Sequence, residues 1–283
     1  MAAPEPKTNE AVGTEVKKSK YYYLSSLIII IAFVIVNIIG LFLKIMDLLG
    51  LIILFSLFFG VTVIIIGYSD RLERVYIEKW GQTFRKYSHL VGGFILIFFG
   101  ILSVIQLSWI CLSLFISFLI HEYFYVKKNI SGIYTKTLIF VGRLDRRYNP
   151  ESPGEPRPFY SSLWLLAAIS LIGLFGQNVA IAAIITFALG DTLSTLVGER
   201  IGKHKLPYNK TKSVEGTLVF FGITFLGVFF AFIWSGHLYW LPALISASVG
   251  CISESLIPTN YWLDDNFVVP VSVGVVLYLT RVF

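Results

Sequence analysis

Long apolar runs, separated by short polar or charged joints, dominate this sequence and limit what it can fold into. A helix that crosses a membrane needs about 20 mostly apolar residues, because the hydrocarbon core is about 30 Å thick. The 283-residue chain is 56% hydrophobic and only 14% charged, with a mean hydropathy of +0.76. That balance is too apolar for a soluble domain of this length. The sequence therefore predicts an all-α, polytopic integral membrane protein.

Nine apolar runs are long enough to be membrane-spanning helices. They are predicted at residues 24–43, 51–68, 89–105, 109–126, 159–175, 179–197, 215–234, 239–257 and 266–282. The joints at 44–50, 106–108, 176–178 and 235–238 are short and nearly uncharged. The remaining joints carry most of the charge, which suggests that alternate joints lie on opposite sides of the membrane.

The positions of the 23 Lys and Arg residues predict the orientation. All of them except Lys44 and Arg281 fall in the amino-terminal tail and in the joints 69–88, 127–158 and 198–214. Positively charged joints stay in the cytosol, so we expect a cytosolic amino terminus and an external carboxyl terminus. This topology accounts for the net charge of +6 without a nucleic-acid partner.

The chain is expected to form one transmembrane domain, residues 21–283, after a disordered cytosolic tail, residues 1–20. The 127–158 loop is predicted to be irregular, because its second half is rich in Pro and charged residues. No cleaved signal or transit peptide is predicted. Both cysteines, Cys111 and Cys251, lie in predicted spans, so neither a disulfide framework nor a zinc site is expected.

A polar island at residues 190–217 interrupts the apolar pattern and is the first candidate for a functional site. Asp191 lies inside an apolar run, where an ionised carboxylate is costly unless it is paired, hydrated or bound to metal. Gly198, Gly202 and Gly216 follow, and glycines allow backbone amides to approach a ligand closely. The island therefore combines a buried acid with backbone suited to ligand binding.

Positive charge is concentrated in the same island. The basic residues are Arg200, Lys203, His204, Lys205, Lys210 and Lys212. Cations together with backbone amides suit a polyphosphate such as a nucleotide, and Glu215 adds an acid beside them. The spacing of Gly198 and Gly202 and the His at position 204 do not match a Walker A motif. The alternative is a basic loop that only sets topology.

A second acidic group precedes the last span. Asp264, Asp265 and Asn266 carry the hard oxygen ligands that Mg²⁺ and Ca²⁺ prefer, and Glu254 lies at the same predicted depth. Asp191 is expected to share this metal site. The alternative is that these residues cap a helix. Arg85, Lys86 and His89, at the start of the third span, are further candidates that either neutralise phosphate or hold the span at the interface.

The predicted topology brings these groups to one membrane face. Phosphoryl transfer needs cations on the phosphates, a divalent metal between them and a carboxylate that orients the attacking hydroxyl. The acids Asp191 and Glu215 and the lysine Lys212 are the catalytic candidates. A site at the cytosolic interface suggests a lipid alcohol as acceptor and a nucleotide that arrives from the cytosol.

The motifs resemble, in order, those of the polyprenol kinase family, which comprises dolichol, phytol and farnesol kinases and the fungal CTP-dependent diacylglycerol kinase. The matching stretches run from about residue 80 to residue 283. They are Arg85-Lys86 with His89 and Gly92, Gly190-Asp191 through Gly198, Gly202 to Lys205, Lys212 to Thr217, Ser253-Glu254, and Asp264 to Pro270.

The resemblance implies an integral-membrane kinase that moves the γ-phosphate of CTP to a lipid hydroxyl with a divalent cation, Mg²⁺ or Ca²⁺. It implies that residues 191–216 bind CTP, with Lys203 and Lys212 on phosphates and Asp191 on the metal or the acceptor hydroxyl. Many members have Lys-Thr where this chain has Lys212-Ser213, and Lys210-Thr211 lies two residues earlier. Either lysine is thus a candidate for the essential one.

The expected activity is that of a CTP-dependent lipid-alcohol kinase, with dolichol or another polyprenol as the first substrate candidate and diacylglycerol as the second. A CTP:phosphatidate cytidylyltransferase is the alternative enzyme, and a membrane transporter is the alternative from another class. The expected membrane is the endoplasmic reticulum in a eukaryote or the cell membrane in a prokaryote. The absence of a predicted transit peptide argues against a plastid enzyme.

Overall fold

The computed structural model describes residues 22–47, 50, 52, 78–124, 160–257 and 264–280. Regular structure within these ranges is helical, and their β pairing is limited to an isolated bridge between Lys205 and Ser213. The helices are α1 Tyr22–Phe42, α2 Glu78–Glu122, α3 Tyr160–Ile172, α4 Gln177–Ile185, α5 Thr192–Ile201, α6 Val214–Trp234, α7 Trp240–Leu256 and α8 Asp265–Thr280. The 3₁₀ turn Gly173–Phe175 follows α3, and the π-helical turn Thr186–Asp191 joins α4 to α5.

The all-helical prediction is confirmed for these ranges. Three segments are long and apolar enough to cross a membrane by length and composition, namely Leu90–His121, Gln177–Ile201 and Val214–Trp234. The predicted span at 51–68, apart from residue 52, and the predicted irregular loop at 127–158 lie outside the described residues. The total of nine spans and the cytosolic amino terminus therefore stay predictions.

The helices α3 and α4 form a hairpin. The chain turns at Gly176, whose φ of 106° favours glycine because other side chains rarely adopt it. Helix α8 runs alongside α3 and also packs against α4 and the π-helical turn. Aromatic pairs mark the two ends of the α3–α8 contact, with centroids 5.0 Å apart for Trp164–Phe267 and for Phe175–Tyr278. The end of α4 thus returns to the level at which α3 and α8 begin.

Helix α2 is folded back on itself, although helical structure is continuous over its 45 residues. A Cβ on Gly93 would lie 2.1 Å from Cβ of Ala188, near the returning end of the α3–α4 hairpin. At the other end of α2, Phe118 packs against Leu163, near the start of the hairpin. A straight helix would separate residues 93 and 118 by about 37 Å, so the two halves of α2 must diverge from a sharp bend.

The bend lies near Ser103. The Ser103 hydroxyl accepts a hydrogen bond from the Gln106 backbone N–H at 3.3 Å, the contact by which a serine caps the start of a helix. The Gln177 side chain donates to the Gly100 and Ile101 carbonyls, and the Ser108 hydroxyl lies 3.5 Å from the Ile169 carbonyl of α3, which places the turn of the hairpin at the same level. This geometry supports the predicted pair of spans at 89–105 and 109–126.

The core surrounds α4 and the π-helical turn. Most side chains from Val179 to Thr192 are buried, whereas α1, α2 and α6 expose large apolar side chains such as Phe98 and Phe230, as a surface facing lipid would. Close packing at two glycines brings α6 and α7 against the π-helical turn: a Cβ on Gly190 would lie 2.5 Å from Thr224 Oγ1, and one on Gly250 would lie 2.5 Å from Thr186 Cγ2. Asp191 ends this buried segment.

Candidate functional site

Asp191 lies at the end of the π-helical turn, where the chain passes into α5. The residue is only 5% exposed. The hydroxyl of Thr195 donates to its carboxylate at 3.4 Å, and the hydroxyl of Ser194 donates to its backbone carbonyl at 3.0 Å. Single π-helical turns are rare and occur frequently at functional sites. The structure therefore places the buried acid at an irregularity of the central helix.

Lys212 reaches the carboxylates of three helices. Its ammonium forms an ion pair with Glu254 of α7 and lies 3.9 Å from Asp265 Oδ2 at the start of α8. The side chains of Lys212 and Glu254 are only 15% and 4% exposed. Burial alone would lower the pKa of Lys212, but the carboxylates of Glu254, Asp265 and Asp191 outweigh that effect and raise the pKa above its usual value of 10.5. We call these four residues the carboxylate–lysine cluster.

The predicted acidic group at the start of α8 divides into two roles. Asp264 caps the helix, because its Oδ1 accepts the Asn266 N–H at 2.9 Å and its carbonyl accepts the N–H groups of Phe267 and Val268. The structure thus supports the helix-cap alternative for Asp264. Asp265 instead faces Lys212, and Asn266 is buried beside it. Asp265 is the member of this group that joins the cluster.

Glu215, one of the catalytic candidates, pairs with His204. Its carboxylate accepts the His204 backbone N–H at 3.2 Å and pairs with the His204 ring at 2.7 Å. The Val214 N–H donates to the His204 carbonyl at 2.8 Å. Glu215 thereby closes the segment 202–213, which we call the basic loop, at its base. In this structure the carboxylate that pairs with Lys212 comes from Glu254.

Three of the four glycines of the island, Gly198, Gly202 and Gly216, are packed against one another. A Cβ on Gly202 would lie 2.2 Å from the Gly198 carbonyl and 2.4 Å from Ser213 Oγ, and one on Gly216 would lie 3.3 Å from Cα of Gly198. Ser213 also caps α6, accepting the Gly216 N–H at 3.2 Å. The absence of side chains is therefore explained by contact between α5, α6 and the basic loop. Contact of these glycines with a nucleotide stays a prediction.

The other basic residues of the island remain exposed. These residues are Arg200, Lys203, His204, Lys205 and Lys210. Of the two candidate lysines, Lys210 is exposed, whereas Lys212 enters the cluster, which favours Lys212 as the essential one. Arg85, Lys86 and His89 belong to the first half of α2, but their side chains lie outside the described part of the chain.

The described side chains include no group of three or more His, Cys, Asp or Glu residues arranged to hold a metal ion. Mg²⁺ is usually bound by one or two carboxylates together with substrate phosphates and water, not by a complete protein cage. Asp191 and Asp265 fit that incomplete donor set, since both are carboxylates around one lysine. The predicted metal ligands Asp191, Asp264, Asp265 and Asn266 stay a prediction.

Sequence analysis missed the residue that holds the basic loop in place. Asn209 is 7% exposed although its loop is mostly exposed, and it contacts the end of α7. Its position after Pro207 and before Thr211 was a usable indication, because an asparagine in a turn often bonds its own backbone two residues on. Its contact with α7 depends on tertiary packing and could not be predicted from the sequence.

Comparison with known proteins finds several similar sequences, among them proteins named as kinases. The chain is 34% identical over 122 residues to probable phytol kinase 3, chloroplastic, of Glycine max, covering 40% of this chain and 37% of that protein. It is 26% identical over 132 residues to CTP-dependent diacylglycerol kinase 1 of Schizosaccharomyces pombe, covering 41% and 57%. It is 31% identical over 196 residues to an uncharacterized protein of Methanocaldococcus jannaschii, covering 69% and 92%.

The chain spans less than half the length of the plant phytol kinases that it matches. No family model matches the sequence, and no solved structure matches it significantly. The named relatives nevertheless include phytol, farnesol and diacylglycerol kinases, which are activities of the family that the motifs resemble. The chain is thus similar to the polyprenol kinase family, with phytol, farnesol and CTP-dependent diacylglycerol kinases among its relatives.

Proposed function

We propose that this protein is a membrane-embedded, CTP-dependent kinase that phosphorylates the hydroxyl of a lipid alcohol. The observation that carries the proposal is the carboxylate–lysine cluster at one end of a bundle of apolar helices. Three carboxylates, Asp191, Glu254 and Asp265, surround one ammonium, so negative charge exceeds positive charge among these four side chains. Such a group is suited to a divalent cation that arrives with a nucleotide.

The reaction forms a bond between the acceptor oxygen and the γ-phosphorus and breaks the bond from that phosphorus to the β–γ bridging oxygen, so that CDP leaves. Lys212 is assigned to the transferred phosphate, because its ammonium lies beside the proposed metal ligands and remains protonated at neutral pH. Asp191 is assigned to the acceptor hydroxyl, which it orients and whose proton it receives. Bound Mg²⁺ or Ca²⁺ would neutralise phosphate charge, with Asp265 and Asp191 as its protein ligands.

The acceptor is proposed to be an isoprenoid alcohol, with diacylglycerol as the second candidate. Relatives named phytol and farnesol kinases favour an isoprenoid chain, and the relative named CTP-dependent diacylglycerol kinase 1 supports both CTP and the second acceptor. The apolar outer faces of α1, α2 and α6 fit a multi-pass membrane location. Because the relatives include chloroplastic and cyanobacterial proteins, they favour neither the endoplasmic reticulum nor the cell membrane.

The test is transfer of label from γ-³²P CTP, with γ-³²P ATP in parallel, into mixed micelles that contain dolichol, phytol or diacylglycerol with Mg²⁺ or Ca²⁺. The expected result is a labelled lipid phosphate together with CDP. Asp191→Asn should abolish labelling, whereas Glu199→Gln, which changes an exposed acid on the same helix, should retain it. Release of pyrophosphate from CTP and phosphatidate, without lipid labelling, would instead establish a cytidylyltransferase. Turnover of neither nucleotide would reopen the transporter alternative.

A further inference from the structure

The basic loop is organised around Asn209. The Asn209 side-chain oxygen accepts the Thr211 hydroxyl at 2.7 Å and the Thr211 N–H at 3.2 Å. The Asn209 N–H donates to the Leu206 carbonyl, and the Asn209 carbonyl accepts the Lys212 N–H at 3.1 Å. A single residue therefore sets the path of the chain up to the lysine of the cluster.

The other half of the Asn209 amide binds the end of α7. Its Nδ2 donates to the Ser255 carbonyl at 3.0 Å and to the Ile257 carbonyl at 3.2 Å. Carbonyls at the end of a helix lack intrahelical donors, and a side chain can satisfy them. Helix α7 ends here because Ile257 is extended before Pro258. Tyr208 adds a weaker contact, from its hydroxyl to Ser255 Oγ at 3.3 Å.

These contacts join the two partners of the buried ion pair. Glu254 directly precedes Ser255, whose carbonyl accepts from Asn209, and Lys212 donates its N–H to the Asn209 carbonyl. Asn209 thus links the lysine to its carboxylate, through its backbone carbonyl on the side of Lys212 and through its side-chain Nδ2 on the side of Glu254. The side-chain hydrogen bonds of Asn209 go to Thr211 and to the carbonyls of Ser255 and Ile257, not to the carboxylates of the cluster, so its effect on chemistry must pass through Lys212.

We propose that Asn209 is a positioning residue, which docks the basic loop on the end of α7 and so aligns Lys212 with the phosphates of the nucleotide. This inference rests on the proposed function and assigns to the loop the task of nucleotide positioning. The two halves of the amide act at different places. The oxygen holds the turn through Thr211, and the nitrogen holds the turn against α7.

The chemistry of the amide provides a sharp test. Asn209→Asp keeps the acceptor for Thr211 but replaces the Nδ2 donor with an oxygen that faces two carbonyl oxygens. Thr211→Val is the matched control, because it removes the 2.7 Å bond within the loop and leaves the donor to α7 intact. Asn209→Asp is expected to raise the KM for CTP on the order of tenfold, with kcat at saturating CTP within about twofold of wild type. Thr211→Val should change KM less than about threefold.

Limited trypsin digestion reports docking independently of activity. The basic loop contains cleavage sites after Lys203, Lys205 and Lys210. Cleavage there should be several-fold faster in Asn209→Asp than in wild type or Thr211→Val. If Asn209→Asp does not fold, Tyr208→Phe, which loses only the weaker contact to Ser255, should show the same changes to a smaller extent.

The outcomes separate this inference from the proposed function. The positioning role would be overturned if Asn209→Asp kept the wild-type KM for CTP or the wild-type resistance to trypsin. The same holds for Tyr208→Phe where only that variant folds. A fall in kcat at unchanged KM would also overturn it. If wild-type protein transfers no phosphate, the proposed function and the nucleotide role fail together. Faster cleavage in Asn209→Asp would then still support docking of the loop, and unchanged cleavage would overturn it.

Discussion

Removing the carboxylate of Glu254 should destabilise the protein more than removing that of Asp265, because the two acids hold the same lysine at different depths. At 3.9 Å, a unit charge pair gains about 4 kcal/mol before desolvation at an effective dielectric constant of 20. Asp265 is 34% exposed, so solvent reduces its net contribution to about 1 kcal/mol. Glu254 is 4% exposed, and deleting one partner of a buried pair costs about 3 kcal/mol or more.

The assay is thermal unfolding of the purified protein in detergent, with Glu254→Gln, Asp265→Asn, Lys212→Met and the double variant Lys212→Met/Glu254→Gln. By the scaling for soluble domains, Glu254→Gln should lower the midpoint by roughly 6–12 °C and Asp265→Asn by roughly 2–4 °C. The double variant should lose less than the two single variants together, because each single variant leaves one charge of the Lys212–Glu254 pair without its partner, whereas the double variant removes both. Glu199→Gln, an exposed acid, is the control. Strict additivity, or equal losses for the two acids, would refute the reasoning.

Three further predictions follow from the site. Gly202→Ala should lower the free energy of unfolding by about 1–3 kcal/mol, because a Cβ would lie 2.2 Å from the Gly198 carbonyl. Gly222→Ala is the control and should not lower it, because a Cβ there has no neighbour within 4 Å. Chemical denaturation of both variants measures the difference. Ser213→Ala should cost about 1 kcal/mol through loss of the α6 cap. The pKa of Lys212 is raised in the folded protein, so its contribution to stability is complete below pH 10.5 and is lost only as the pH rises through the higher pKa of the folded state. The difference in thermal unfolding midpoint between wild type and Lys212→Met should therefore stay constant from about pH 7 to pH 10.

The helix boundaries could be predicted because a membrane imposes a length on each apolar run. The runs at 215–234, 239–257 and 266–282 correspond to α6, α7 and α8 with differences of one or two residues at most ends. The bend in α2 was also indicated, as a short joint after Ile105, since Gln106 and Ser108 interrupt the apolar pattern. Apolar length alone, however, does not say which faces of these helices meet.

The pairing within the site could not be predicted, because it depends on tertiary packing. Glu215 is three residues from Lys212 in sequence, yet α6 begins at Val214 and places Glu215 beside His204. Glu254 is 42 residues away from Lys212, and α7 brings it into the ion pair. Contact of Gly198, Gly202 and Gly216 with a ligand stays a prediction, since their close neighbours in the structure are Ser213, the Ser194 carbonyl and one another.

The location of the cluster explains why a lysine in a polar loop is buried at all. The sequence around Lys212 is polar, and a loop of this composition would ordinarily leave its ammonium in water. Asn209 instead binds the carbonyls at the end of α7, and the Lys212 side chain then reaches acids that belong to three apolar helices. Buried charges are tolerated when they are paired, and removing one partner leaves the other as an uncompensated buried charge.

A nucleotide that withdraws Lys212 toward its phosphates would therefore have to supply a cation to the carboxylates that the lysine leaves. We accordingly expect wild-type protein to bind CTP much more weakly without divalent metal than with it. In Glu254→Gln, the loss of CTP affinity on removal of the metal should be smaller. Equilibrium binding of a fluorescent CTP analogue with and without Mg²⁺ measures both affinities, and an equal metal dependence in the two proteins would contradict the exchange of lysine for metal at this cluster.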